Sequence, residues 1–298
     1  MQIKPHRIFP YVEKFLKKSL TSKRHHTAYF CVNVDIMMKN TSLLLLFALM
    51  SCGGNDKPPV DKPNSNATKV ISCQVVTEFP HDTSSYTQGL IIYKGSMYEG
   101  TGNYNFSKLK KVDIATGKTI QEIKLDNKYF GEGITILNDT IYQLTWKEKK
   151  AFAYTLKDFK KVKEFDVDME GWGLTTDGKN LIASNGGSDL FYYDPATFKL
   201  LKTQTVIENG SPAHDINEME YINGFIYANQ YQQAYILKID PATGIVVAKA
   251  DVTNLWNRIK AADPDADVPN GIAYDAVTNK TYITGKWWPK IFEVSFGE

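Results

Sequence analysis

The chain has 298 residues, 43% of them hydrophobic and 12% aromatic, so it carries enough apolar mass for a globular core and is not a disordered protein. Its formal net charge of +2 is unevenly placed, because residues 1–51 carry eight Lys or Arg against two acids. The remaining 27 basic and 31 acidic residues give 52–298 a net charge of −4, which argues against a nucleic-acid partner.

The beginning of the chain predicts a targeting segment. From Met37 the sequence gives Lys39, an apolar run over 43–50, and then Ser51 and Cys52. That run is shorter than the roughly 20 apolar residues that a membrane-spanning helix needs. It resembles a bacterial lipoprotein signal, in which the chain is cleaved before the cysteine and the cysteine is lipidated. The alternative is an ordinary buried segment followed by a free cysteine.

Four segments follow from this interpretation. We expect 1–36 to be upstream translation or unstructured, 37–51 to be the signal peptide, 52–68 to be a polar tether, and 69–298 to be the folded domain. The protein would then be exported and anchored to a bacterial membrane through Cys52, facing the periplasm or the cell surface.

A repeat predicts the architecture of the domain. Five segments begin alike, at successive spacings of 44, 40, 46 and 52 residues. Each is followed by a turn such as Asn138-Asp139 or Asn223-Gly224 and then by β-branched and aromatic residues, which is typical of hairpins. The five openings are Gln88-Gly89-Leu90-Ile91, Glu132-Gly133-Ile134-Thr135, Trp172-Gly173-Leu174-Thr175, Glu218-Met219-Glu220-Tyr221 and Asn270-Gly271-Ile272-Ala273.

Four short strands in each repeat, without intervening helices, indicate an all-β, five-bladed β-propeller. A β-sandwich would share the strand content but does not predict five similar openings. The last repeat, 269–296, has room for three strands, so we expect Lys69–Glu78 to supply the fourth and to close the ring. The longest spacing contains an insertion over 253–267, in which 255–259 predicts a short helix.

The polar residues that open the repeats are the candidate site. In a propeller the first strand of each blade lines the central channel, so Gln88, Glu132, Trp172, Asn217-Glu218 and Asn270 should converge at one end of it. Spacing alone leaves open whether they only hydrogen-bond one another and water. After Cys52 the chain has two histidines, His81 and His214, and no Gly-x-Ser-x-Gly, so neither a multi-histidine zinc site nor a nucleophile elbow is predicted.

An ordered set of short motifs resembles the plant and bacterial type of glutaminyl-peptide cyclotransferases, from about residue 70 to the C-terminus. Two departures from that family are Tyr231, where Trp is usual, and Phe106–Lys110 in the first blade. The motifs are Tyr86-Thr87-Gln88-Gly89-Leu90, Phe130-Gly131-Glu132-Gly133-Ile134, Gln143-Leu144-Thr145-Trp146-Lys147, Gly171-Trp172-Gly173-Leu174, Asn217-Glu218-Met219-Glu220-Tyr221, Tyr227-Ala228-Asn229, Asn270-Gly271-Ile272-Ala273-Tyr274 and Thr284-Gly285-Lys286-Trp287-Trp288-Pro289.

The resemblance implies that N-terminal glutamine of a peptide or protein is converted to pyroglutamate with release of ammonia. It implies a proton shuttle at Glu132 and oxyanion contacts from Lys286 and Asn217. The implied substrate-binding residues are Gln88, Trp146, Trp172, Glu218, Asn270 and Tyr231.

The implied reaction needs no redox, organic or metal cofactor, although a structural ion on the propeller axis stays open. We expect a monomer. The alternative function is a propeller lipoprotein without catalysis that binds a peptide or glycan at the channel mouth, and a metal-dependent lactonase-like enzyme is disfavoured by the scarcity of histidines.

Overall fold

The computed structural model describes residues 67–297 of the chain. The predicted translation start, signal peptide and Cys52, together with most of the predicted tether, lie outside these residues. The described part is all-β apart from one helix, α1, over Thr253–Ala262, which confirms the helix expected in the insertion. This helix, the one within 67–297, is not long and apolar enough to span a membrane.

Three of the sheets are four-stranded antiparallel meanders, in which each strand pairs with the next along the chain. Short strands joined by tight turns favour this order, because each repeat alternates apolar runs with turn residues. Their strands are β2 Thr87–Tyr93, β3 Ser96–Thr101, β4 Lys108–Val112 and β5 Thr119–Lys124; β6 Gly131–Leu137, β7 Thr140–Thr145, β8 Lys150–Thr155 and β9 Lys161–Asp166; and β10 Leu174–Thr176, β11 Leu181–Ala183, β12 Asp189–Tyr193 and β13 Leu200–Thr205.

The remaining strands form an eight-stranded sheet and a small hairpin. The order in the large sheet is β16-β17-β18-β19-β1-β22-β21-β20. Its strands are β1 Lys69–Pro80, β16 Ile216–Ile222, β17 Phe225–Gln230, β18 Tyr235–Ile239, β19 Val246–Asp251, β20 Pro269–Asp275, β21 Lys280–Gly285 and β22 Lys290–Phe296, while the hairpin pairs β14 Ile207–Glu208 with β15 Ser211–Pro212.

Strand β1 joins the two ends of the domain, as the sequence predicts. Its second part pairs antiparallel with β22, from Cys73 opposite Phe296 to Pro80 opposite Lys290. Its first part pairs parallel with β19, and this short parallel pairing is what merges two four-stranded groups into one sheet. The N-terminal segment therefore supplies the fourth strand beside β20, β21 and β22.

The hairpin turns have the backbone geometry that their residues favour. Asn138 and Asp139 both have positive φ, at 50° and 57°, and Asn223 and Gly224 follow the same pattern at 48° and 88°. Two successive left-handed residues match the right-handed twist of the flanking strands, and Asn, Asp and Gly tolerate that conformation best.

Five strands form the inner ring of the fold, and we call them the first strands: β2, β6, β10, β16 and β20. Each contacts the next in this order, and β20 contacts β2. The repeated glycine explains how they approach so closely. A Cβ at Gly89 would collide with the backbone nitrogen of Ile134, and a Cβ at Gly173 would collide with the carbonyl oxygen of Asn217.

The hydrophobic core is divided among the spaces between neighbouring sheets. Separate clusters lie between β2–β5 and β6–β9, between β6–β9 and β10–β13, and between β10–β13 and β16–β19. A fourth cluster lies between β16–β19 and the sheet formed by β20–β22 with β1, and Leu255 and Ile259 of α1 pack into it. The fifth cluster lies between β20–β22 and strands β2 and β3. The arrangement is all-β and propeller-like.

Removal of strand β1 should destabilise the whole domain. Ile71 of β1 is buried in the cluster beside α1, and Phe79 packs against the cluster of β2 and β3. Loss of these two side chains and of the β22 ladder should cost several kcal/mol, at roughly 1.5–3 kcal/mol for each buried large apolar side chain. A chain that begins at Pro80 should therefore unfold at least about 10 °C below one that begins at Ala67.

Thermal unfolding followed by circular dichroism checks this prediction. Equal unfolding temperatures for the two shortened chains would show that β1 is not required to complete the fold.

Candidate active site

The predicted site residues occupy equivalent positions in the first strands. Gln88, Glu132, Asn217 and Asn270 are each the second residue of β2, β6, β16 and β20, and Trp172 lies two residues before β10. At each of the four positions the register of the first strand against its neighbour is interrupted. Such irregularities re-aim side chains away from the regular ladder, here toward one end of the inner ring.

Glu132 is a buried carboxyl group without a hydrogen-bond partner among residues 67–297. The residue is 4% exposed. Burial raises its pKa well above the ordinary value, the carboxylates of Glu148 and Glu170 raise it further, and the ammonium of Lys286 acts in the opposite direction. A carboxyl group of this kind holds a proton near neutral pH far more readily than a solvent-exposed one.

Lys286 is the buried cation of the site. Its Nζ lies 4.6 Å from the ring centroid of Tyr86 and 4.9 Å from that of Tyr231, so two aromatic faces enclose the ammonium. Burial lowers its pKa to about 8, although Glu132 and Asp267 both act to raise it. In the described part of the chain its ammonium group has no hydrogen-bond acceptor.

Glu132 and Lys286 influence each other without forming an ion pair. Each acts on the pKa of the other, yet the described structure has no salt bridge between them. Two opposite charges buried close together normally meet directly, because each then offsets the desolvation of the other. Both groups therefore keep hydrogen-bonding capacity that no other described residue uses.

Aromatic rings that contact one another lie around Lys286. The rings of Phe130 and Trp146 are 5.5 Å apart between centroids, and those of Tyr86 and Trp287 are 4.8 Å apart. Tyr86 also meets Phe130 edge to face, which joins these pairs into one wall. On the other side Trp172 and Tyr231 meet edge to face at 5.4 Å. Aromatic walls exclude water and so strengthen polar contacts made between them.

Two side-chain amides in the site have buried oxygen atoms with no hydrogen-bond partner within the described residues. They are Oδ1 of Asn217 and Oδ1 of Asn270. Asn270 is otherwise fixed, because its Nδ2 donates to the carbonyl oxygen of Thr87 and, over 3.1 Å, to Oε1 of Gln88. The amide of Asn217 makes no such bonds, so it is the more available of the two for a ligand.

Glu218 also lies on the inner ring of first strands, but both of its side-chain oxygens already accept hydrogen bonds from the backbone. Oε1 accepts from the backbone N–H of Leu90 over 3.1 Å, and Oε2 accepts from that of Ile272 over 2.8 Å. The side chain thereby links β16 to β2 and β20. Burial raises its pKa well above the ordinary value, with Glu220 adding to the effect.

Several residues of the site were missed by sequence reasoning. Tyr86 and Phe130 form its aromatic wall, and each lies two residues before the opening residue of its repeat, so their recurrence was a signal that could have been used. Glu148 accepts hydrogen bonds from the Tyr104 hydroxyl and from the Phe130 backbone. It had no sequence signal, since it lies in a polar turn.

Comparison with known proteins shows which family this chain belongs to. The model of the glutamine cyclotransferase family matches residues 43–296. The chain belongs to the glutamine cyclotransferase family. It is 40% identical over 230 residues to the glutaminyl-peptide cyclotransferase of Arabidopsis thaliana, across 76% of this chain and 72% of that protein.

A solved structure extends the relationship to the fold. The crystal structure of the Myxococcus xanthus glutaminyl cyclase superposes with a TM-score of 0.73 at 33% identity, over 77% of this chain and 98% of that one. The resemblance predicted from the sequence motifs is confirmed.

Substitution of Lys286 by Met should stabilise the domain at neutral pH. Because the folded-state pKa of Lys286 lies at about 8, below its ordinary value of 10.5, folding at pH 7 carries the full cost of burying the charge. That cost is about 3.5 kcal/mol at most, since the pKa falls by about 2.5 units and each unit corresponds to about 1.4 kcal/mol. Lys286→Met should recover on the order of 1–3 kcal/mol, and the gain should shrink as the pH rises from 8 toward 10.5.

Urea unfolding at pH 7 and pH 9.5 measures the effect. Lys280→Met is the matched control, because Lys280 belongs to the same part of the chain but is paired with Glu293 near the surface. A Lys286→Met protein that is less stable than the control at pH 7 would contradict the burial cost assigned to Lys286.

Proposed function

We propose that this chain cyclises N-terminal glutamine of peptides or proteins to pyroglutamate and releases ammonia. The proposal is supported by family membership and by the relatives named above. The observation that carries it is the Glu132–Lys286 pair: a buried acid and a buried cation, close to each other and unpaired, between aromatic walls. A fold under selection for stability alone would not keep such a pair.

The protein needs to hold the glutamine side chain in position, to transfer a proton and to stabilise the negative charge that forms. The α-amine nitrogen attacks the side-chain amide carbon of the same residue, which forms the ring C–N bond and puts negative charge on the amide oxygen. Collapse of this intermediate breaks the bond to the amide nitrogen, which leaves as ammonia. Since the nucleophile and the amide belong to one residue, holding the side chain folded back removes much of the entropic barrier.

Glu132 is suited to carry the proton between the two nitrogens. It would accept a proton from the attacking amine and deliver it to the departing nitrogen, so the carboxylate is regenerated in each cycle. Burial raises its pKa well above that of an exposed glutamate, so the group holds a proton more strongly and can both take up and release one during the cycle. The reaction as written needs no redox or organic cofactor, because one C–N bond replaces another and no atom changes its oxidation state.

Lys286 and the Asn217 amide are suited to stabilise the amide oxygen as it becomes negative. Both are buried, and neither donates a hydrogen bond to another described residue. A donor that is free before substrate binds needs no partner to be broken in the transition state, and its contact is strengthened by the exclusion of water.

The remaining site residues divide into ligand contacts and supports. We propose that Trp146, Trp172 and Tyr231 enclose the glutamine side chain, and that Gln88 with Asn270 closes the inner end of the site. Glu218 would act on substrate indirectly, because both of its oxygens already hold the backbone of neighbouring first strands.

We also propose that the fold is a five-bladed β-propeller. The five first strands follow one another in a ring, and a hydrophobic cluster lies between each pair of consecutive four-stranded groups. In this interpretation the eight-stranded sheet is two blades joined by the parallel pairing of β1 with β19.

The alternative, a binding module without catalysis, is less well supported by the site. A binder gains nothing from an acid with a raised pKa opposite a cation with a lowered one, and it bears the same burial cost.

Glu132→Gln should abolish most of the activity without weakening the fold. The substitution keeps the size of the side chain and removes its ability to carry a proton, so the rate of ammonia release from a Gln-initiated peptide should fall about 10²–10⁴-fold. Glu170→Gln is the matched control, because Glu170 is an exposed acid that also raises the pKa of Glu132, and it should retain most of the wild-type rate.

Coupled ammonia detection measures both rates, and an Asn-initiated peptide serves as the negative substrate because its cyclisation would require a four-membered ring. A Glu132→Gln protein with a nearly normal rate would remove the shuttle role. No ammonia from any Gln-initiated peptide with the wild-type chain would favour the binding module.

For localisation we propose a monomeric lipoprotein anchored through Cys52, which rests on the sequence around that residue. The Cys52→Ser protein should move from the membrane fraction to the soluble fraction with an unchanged unfolding temperature, because a lipid anchor contributes partitioning and not folding. Cell fractionation with immunodetection checks this, with Cys73→Ser as the control. Retention of Cys52→Ser at the membrane would contradict the lipoprotein assignment.

A further inference from the structure

A second buried polar cluster lies beside the Glu132–Lys286 pair, and we call it the Glu99 cluster. At its centre the Glu99 carboxylate is 1% exposed and is surrounded by donors. Thr87 Oγ1 donates to Oε1 over 2.7 Å, Ser85 Oγ donates to Oε2 over 3.2 Å, and the Lys110 ammonium lies 2.9 Å from Oε2. The fourth neighbour is Nε2 of His81, 3.0 Å from Oε1.

The charges of the cluster can be assigned from its contacts. Despite burial, Lys110 and His81 hold the pKa of Glu99 well below its usual range, so this carboxylate is ionised and can only accept. Burial lowers the pKa of Lys110, but Glu99 and then Asp82 outweigh it and raise that pKa, so Lys110 stays protonated. Asp82 is ionised as well, with a lowered pKa.

His81 faces a hydrogen-bond acceptor on each side of its ring. Nδ1 lies 2.7 Å from the carbonyl oxygen of Trp288, and Nε2 faces the ionised Glu99. The remaining neighbour of Nδ1 is Thr284 Oγ1 at 3.4 Å, which itself donates to the carbonyl oxygen of Lys290 and so also presents a lone pair. A neutral imidazole has one N–H and could satisfy only one of these sides.

An imidazolium also balances the charge of the cluster. With His81 protonated, two cations, His81 and Lys110, face two carboxylates, Glu99 and Asp82. With His81 neutral, a buried acceptor nitrogen would point at a buried carboxylate, which leaves two lone pairs facing each other out of water.

The cluster holds together the two segments that carry Lys286 and its aromatic neighbour. One segment is 81–87 and the other is 284–290. The backbone N–H of His81 donates to the carbonyl oxygen of Pro289 over 3.0 Å, and the backbone N–H of Trp287 donates to the carbonyl oxygen of Ser85 over 2.7 Å. Between these bonds, Tyr86 of the first segment meets the Lys286 ammonium of the second at 4.6 Å.

We propose that His81 is a doubly protonated positioning residue, which holds the Lys286 segment through Trp288 and strand β3 through Glu99 at the same time. The catalytic part of this inference rests on the proposed function; the protonation state does not. His81 does not touch the space between Glu132 and Lys286 and would act only through the position of Lys286.

The protonation state can be measured directly on the full chain. Long-range ¹H–¹⁵N spectra of histidine-labelled protein at pH 7 report whether each ring nitrogen carries a proton, and the His81 signals are assigned by their absence from the spectrum of His81→Gln. Two protonated nitrogens at His81 are expected. One unprotonated nitrogen would overturn the proposal, whatever the activity of the chain.

Two variants separate the two hydrogen bonds. The amide of His81→Asn can replace the Nδ1 donor to Trp288, whereas that of His81→Gln can replace the Nε2 donor to Glu99, and neither replaces both. Because a small displacement of a catalytic group can cost about 10²-fold, each variant should lower kcat about 10- to 100-fold with KM changed much less. Lys286 is proposed to act in the transition state, so the effect belongs in kcat.

Glu220→Ala is the matched control for lost stability. The Glu220 side chain is also buried and accepts from Thr175 and the Tyr274 backbone, so its loss leaves these donors unpaired, and it contacts neither 81–87 nor 284–290. It should lower the unfolding temperature with nearly normal kcat. Wild-type kcat in either His81 variant, or an equal loss of kcat in Glu220→Ala, would overturn the positioning role. Absence of activity in the wild-type chain would instead refute the proposed function, and the nitrogen spectra would still decide the charge of His81.

Discussion

The close approach of the first strands is the constraint on which the rest of the structure depends. Backbone meets backbone where Gly89 lies beside Ile134 and where Gly173 lies beside Asn217, and a side chain at either glycine would force the strands apart. Residues far apart in the sequence reach one end of a narrow ring only because of this packing. The same packing leaves the backbone N–H groups of Leu90 and Ile272 in need of acceptors, which the Glu218 carboxylate provides.

The site is held together at a cost in stability. Glu132 and Lys286 are both buried, and the pKa of each is displaced toward its neutral form, so neither benefits fully from the other. The surrounding structure offsets this cost through the apolar clusters between the sheets and through the Glu99 cluster, where every charge has a partner. The charged groups of the Glu99 cluster are paired and fix backbone segments, whereas Glu132 and Lys286 have no hydrogen-bond partner among the described residues.

The sequence predicted local features and the repeat well. A turn at Asn138-Asp139, a short helix around 255–259 and the addition of the N-terminal strand to the last repeat all followed from residue type and spacing, although the helix is longer than predicted and spans Thr253–Ala262. The position of Glu132 followed from the repeat, since equivalent residues of equivalent strands must lie at the same level of the ring.

The contacts between side chains of different segments were not predictable in the same way. That Glu218 has no free oxygen depends on the distance between β16 and its neighbours, and no pattern in the sequence encodes that distance. The Glu99 cluster brings together a loop residue, His81, with Glu99 of β3 and Lys110 of β4, and none of these has a motif of its own. Such networks become visible only when the packing of three segments is known.

The central claim is that the space between Glu132 and Lys286 receives the N-terminal glutamine. The most direct test is a crystal structure of the Glu132→Gln protein with a Gln-initiated peptide. We expect the amide oxygen of the peptide within hydrogen-bond distance of Lys286 Nζ and its α-amine beside residue 132, with the glutamine side chain folded back between the aromatic walls. A peptide whose N-terminal glutamine lies outside this space, or is extended away from both residues, would contradict the account.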